Sequence, residues 1–147
     1  MNTVSIILGL ICLAALVQAH FSLVMPKPRP GNMTNLAQAN CGGSDFMSSP
    51  QPVSFINQIT LANFSHGNGT LEYKFYPVYD LAHPVSLLNV TIQGKSNYTD
   101  MINFAPKGVA LNAMGTLQAH FVSDDGQDNW YQCADVIVSP LVVSPLY

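Results

Sequence analysis

The sequence predicts an all-β protein built as an antiparallel β-sandwich. Three observations carry that expectation. Short β-branched and aromatic runs recur from residue 53 onward. Clusters of Gly, Pro, Asn, Asp and Ser punctuate them. No stretch sustains a helical period.

The first element is a leader. Residues 6–17 are apolar, and Val17-Gln18-Ala19 supplies the small-residue pattern at which a secretory leader is cut. The run is too short for a spanning helix. The expected organisation is a signal peptide over 1–19 and one domain over 20–147, large enough for a single core. Residues 20–52 hold PKPRPG and SSPQP. They read as mostly irregular, with one short strand near 20–25. Strands are expected at VSFINQITL (53–61), TLEYKFYPVY (70–79), LLNVTI (87–92), GVAL (108–111), TLQAHFV (116–122) and WYQCADVIV (130–138). The polar stretches NFSHGNG (63–69), GKSNYTD (94–100) and SDDGQDN (123–129) read as loops.

Charge is sparse, with five Lys+Arg against eight Asp+Glu. That balance offers no basic stripe for nucleic acid and no polybasic patch for anionic lipid. Five N-x-S/T sequons, at Asn32, Asn63, Asn68, Asn89 and Asn97, provide for glycans on a secreted protein. Of three cysteines, Cys12 leaves with the leader. Cys41 and Cys133 remain, and an oxidising compartment predicts one disulfide between them.

Cleavage after Ala19 makes His20 the first residue of the mature chain. A terminal histidine offers its α-amine and its near ring nitrogen to one metal, a chelate that an internal histidine cannot form. A second imidazole would complete an all-nitrogen site suited to Cu(II). His66 in the glycine-bearing turn, His83 before Pro84, and His120 on the more polar face of its strand are the candidates. Along 130–138, Asp135 alternates onto the face of Tyr131, Cys133 and Ile137. A carboxylate there needs a metal or a buried partner unless it faces solvent. Asp124, Asp125 and Asp128 are ordinary turn acids.

Four segments carry a resemblance: AHFSLVMP across the cleavage site, the early Cys41-Gly42-Gly43, SHGNGTLEY at a strand start, and YQCAD from Tyr131 to Asp135. On these the mature chain resembles the fungal copper-binding proteins related to lytic polysaccharide monooxygenases, the Bim-type copper-acquisition family. The resemblance implies an immunoglobulin-like sandwich with one Cu(II) at its edge. By position it implies the ligands His20, His66 and Asp135. It implies copper acquisition or homeostasis outside the cell, at or near the wall or surface, with a plasma-membrane copper transporter as partner and a monomeric chain. Members of the family carry a further disulfide and a lipid-anchor signal. This sequence lacks the cysteines for the first, and LVVSPLY is too short to read as the second. Enzymatic function is the less favoured reading. The rivals are a polysaccharide monooxygenase, a secreted lipid-binding sandwich and a wall adhesion module.

Overall fold

The computed structural model describes residues 21–30, 36–37, 39–44, 46–62, 68–94 and 97–140. The leader, His20, Asn32, Asn63 and His66 lie outside them.

The fold is an all-β sandwich of two packed sheets. Among the described residues eight strands form it: β1 (Ser22–Met25), β2 (Gln51–Ser54), β3 (Ile56–Ala62), β4 (Gly69–Pro77), β5 (Val85–Ile92), β6 (Tyr98–Asn103), β7 (Met114–Ser123) and β8 (Asn129–Ser139). A three-stranded sheet runs β1–β3–β6, and a five-stranded sheet runs β2–β8–β7–β4–β5. A short helical turn, Ala39–Gly42, and a 3₁₀ turn, Ala105–Lys107, are the helical pieces among the described residues.

Period-2 alternation decides which side chains fill the space between the sheets. On β4, Leu71, Tyr73 and Phe75 point inward and are fully buried. β7 contributes Leu117, Ala119 and Phe121, and the three-stranded sheet answers with Leu23, Ile59, Leu61 and Ile102. Phe121 stacks on Trp130 with centroids 5.7 Å apart. A polar group enters this layer at Tyr73. The Tyr73 hydroxyl donates to Asp100 Oδ2 at 2.6 Å. Burial first, then that hydrogen bond and the Asp100 charge, push its pKa far above the ordinary phenol value, so it remains a donor.

Several expectations are corrected. The run 53–61 is two strands in different sheets, broken at Phe55. β2 pairs with β8 in parallel, so the sandwich is not wholly antiparallel. The stretch 94–100, which reads as a loop, gives its last three residues to the strand β6. GVAL is not a strand: it follows the 3₁₀ turn and sends Val109 alone into the core.

A third layer shapes the outer face of the large sheet. β2 covers β8 only from Val136 onward. Upstream, Tyr131 N–H donates to Leu36 C=O and Arg29 N–H donates to Cys133 C=O, both at 2.8 Å. The Cys41–Cys133 disulfide is present, with sulfurs 2.01 Å apart, and ties the helical turn to β8. These segments line the edge of β8 that β2 leaves open, and on its two faces Cys133, Ala134, Asp135 and Val136 are all buried.

Candidate functional site

The candidate site would draw on three lengths of chain whose described parts lie at one end of the sandwich. On β1, Ser22 pairs with Ala62 at the end of β3. Paired Cα atoms across such a ladder lie about 5 Å apart. His20 stands two residues before Ser22, and His66 stands four residues after Ala62. The third length is the β7–β8 turn. Gly69 opens β4 opposite Ser123, and Asp124 N–H donates to Asn68 C=O at 3.0 Å. Asp124 and Asp125 are exposed there. Asp125 Oδ1 accepts from Ser123 Oγ and from Gln127 N–H, so its carboxylate shapes the turn.

The start of β1 is held from two sides. β3 pairs one edge. On the other, Gln132 of β8, only 4% exposed, takes the place of a neighbouring strand. Its Oε1 accepts from Leu23 N–H, and its Nε2 donates to Phe21 C=O at 3.3 Å. The Phe21 ring is fully buried. The residue following His20 is thus fixed by its ring and by its carbonyl.

Asp135 occupies a different part of the molecule. It pairs with Thr116, which pairs with Tyr76, whereas Gly69 pairs with Ser123. Seven steps along β4 separate those two rows, about 23 Å at strand rise. A chain of three residues, the separation of His66 from Gly69, spans at most ~11 Å. Asp135 is 0% exposed and fully engaged. Oδ1 accepts from Arg29 Nη2 at 2.6 Å and from Thr116 Oγ1 at 2.9 Å. Oδ2 accepts from Arg29 Nε at 2.9 Å, from Ser48 N–H at 2.6 Å and from Ser48 Oγ at 3.0 Å. Burial alone would raise its pKa. The Arg29 hydrogen bonds, those of Ser48 and Thr116, and the Arg29 charge outweigh it and hold the carboxyl below its ordinary value. Both oxygens are saturated and the charge is neutralised, so this carboxylate does not fit a metal ligand as it stands. It takes the buried partner that its strand face required.

Arg29 was not singled out from the sequence. Its Nη1 donates to Ser44 C=O at 3.1 Å and contacts Cys41 Sγ at 3.3 Å, so all three guanidinium nitrogens are engaged. A signal existed, because a buried acid calls for a cation and the chain has only five Lys+Arg.

The other histidines have local partners. His83 Nδ1 lies 2.8 Å from Asp80 Oδ1 on an exposed loop. His120 stacks on Tyr131, with centroids 4.2 Å apart and rings within 5° of parallel, and its Nε2 lies 2.6 Å from Asn129 Oδ1. Among the described residues, no group of three or more His, Cys, Asp or Glu side chains is placed to hold a metal. A cavity of about 580 Å³ opens between the third layer and the large sheet, against Met47, Tyr76, Leu81 and Gln118.

The chain matches no protein-family model, no curated protein and no solved structure.

Proposed function

We propose that this is a secreted Cu(II)-binding protein of copper acquisition or homeostasis. In this reading the α-amine and ring of His20 and the ring of His66 are the nitrogen donors. The carrying observation is the Ser22–Ala62 pair, because both histidines lie within a few residues of that one rung. Two and four residues of chain reach about 7 and 14 Å, so both imidazoles can meet at this end. The third donor falls to the β7–β8 turn and not to Asp135. Asp124 is the acid of choice: it is exposed, and its amide bonds the residue two places after His66. An anionic oxygen beside three neutral nitrogens favours the cupric state. Asp135 serves in this reading as the anchor of the segment carrying Arg29.

The test is the secreted protein with its N-terminus sequenced. The mature chain beginning at His20 binds one Cu(II), with nitrogen couplings in its electron paramagnetic resonance spectrum. One alanine added ahead of His20 weakens binding sharply, and so does His66→Ala. Equal affinity in the extended form overturns the reading. Oxidised oligosaccharides released from chitin or cellulose with a reductant would instead identify a polysaccharide monooxygenase.

A further inference from the structure

A two-sheet sandwich leaves four edge strands, which among the described residues are β1, β6, β2 and β5. An edge presents unpaired N–H and C=O groups to any strand that approaches, and proteins defend it with bulges, prolines, charges or short length. β1 has a bulge between Leu23 and Met25, followed by Pro26. β2 is four residues long and contains Pro52. β6 turns the charge of Asp100 inward against Tyr73.

β5 is defended least. Its pairing with β4 is irregular where Tyr73 meets Leu88 and Lys74 meets Ser86. Beyond that irregularity, residues 88–92 (Leu-Asn-Val-Thr-Ile) run in unbroken register with β4. This run holds no proline and no charge. It is dominated by residues that favour strands, the composition that promotes strand-on-strand association. In its middle stands the sequon Asn89-Val90-Thr91. Asn89 and Thr91 are both exposed. β6 lies beside this edge, and a second sequon, Asn97-Tyr98-Thr99, opens it.

We propose that an N-linked glycan on Asn89 guards the β5 edge against a second copy of this chain. The excluded partner is the same uncharged strand of another molecule, adding antiparallel to β5. A branched glycan on the second residue of this five-residue edge, at the start of its central sequon, occupies the space that such a strand needs. The inference rests on the reading that the chain is secreted, and it is independent of copper.

The test uses the full chain secreted from a glycosylating eukaryotic host. Peptide mass spectrometry reads the occupancy of Asn89, and size-exclusion chromatography with light scattering reads mass from micromolar concentration upward, where exposed edges associate. The expected result is a glycan on Asn89 and a monomer throughout. Asn89→Gln, which removes the glycan alone, should at least roughly double the average mass at high concentration. Asn89→Lys removes the glycan but sets a charge on the same edge, and it should remain monomeric. Enzymatic trimming of the folded wild-type protein should reproduce the Asn89→Gln behaviour without any question of folding. An unoccupied Asn89, a monomeric trimmed protein, or an Asn89→Lys variant that associates like Asn89→Gln overturns the proposal. A chain that passes these tests yet binds no copper leaves the guard standing and removes the copper reading alone.

Discussion

Arg29 and Asp135 form a two-pronged ion pair across 106 residues of sequence. Nε meets one carboxylate oxygen and Nη2 the other, at 2.9 and 2.6 Å. The side chains are 7% and 0% exposed. Two ions removed from water are stable only when paired and fully hydrogen-bonded, and here Thr116, Ser48 and Ser44 complete the set. The pair pins the proline-rich entry segment onto the outer face of β8.

Removing one partner should therefore cost more than removing both. Asp135→Ala or Arg29→Ala leaves an uncompensated buried charge and should destabilise the fold by about 3–5 kcal/mol. The double variant Arg29→Met/Asp135→Leu should recover a large part of that loss. Urea denaturation of the three variants reads the difference. Under the copper reading, Asp135→Asn that folds retains its Cu(II), whereas Asp124→Asn weakens it.

Acid should attack the same pair. The Asp135 carboxyl titrates below its ordinary value in the folded protein, and in the unfolded chain it titrates near ~3.9. Its stabilising contribution is therefore complete above the unfolded value and is lost as pH falls through the lower folded value. Stability measured from neutral pH downward should hold until about pH 4 and then drop. The curve of Asp135→Asn should lie lower and be flatter over that acid range.

The disulfide closes a separation of 92 residues. In the chain-entropy account, a loop of that length is worth ~4–5 kcal/mol. Reduction, or replacement of Cys41 and Cys133 by serine, should lower the denaturation midpoint accordingly. Because Tyr131 and Cys133 also bond Leu36 and Arg29 through the backbone, hydrogen exchange in the reduced protein should quicken first at those amides.

Gln132 makes a separate prediction. Gln132→Leu keeps the volume near the core but strips partners from Leu23 N–H and Phe21 C=O. Each buried backbone group left unpaired costs about 1–3 kcal/mol. The variant should lose stability on that scale. Amide exchange should accelerate at Leu23 while the β4–β7 ladder remains protected.

Alternation in the sequence carried most of the large sheet. Leu71, Tyr73 and Phe75 separate cleanly from Glu72 and Lys74, because one face of β4 must be apolar, whereas β7 and β8 are buried on both faces over much of their length and do not alternate so plainly. The pairing of Cys41 with Cys133 followed from their number alone. Alternation fails where a long-range contact overrides it. Asp100 looks like a loop residue until Tyr73, 27 positions away, gives it a hydrogen bond. The break at Phe55 is invisible locally, since only the partners β8 and β6 show that two sheets are involved. The same limit governs the site. A face shared by Cys133 and Asp135 is readable, but the arginine covering it lies in a stretch that reads as an ordinary proline-rich loop.

Nearly every early segment of the chain is waiting for β8. Phe21 and Leu23 need Gln132, Arg29 needs Asp135, Cys41 needs Cys133, and β2 needs residues 136–139 as its parallel mate. Yet β8 is the last of the described strands in chain order. Under the proposed secretion, the nascent polypeptide would carry an unpaired thiol and an unattached amino-terminal segment until β8 follows, which would make lumenal chaperones and oxidoreductases the agents that govern its yield.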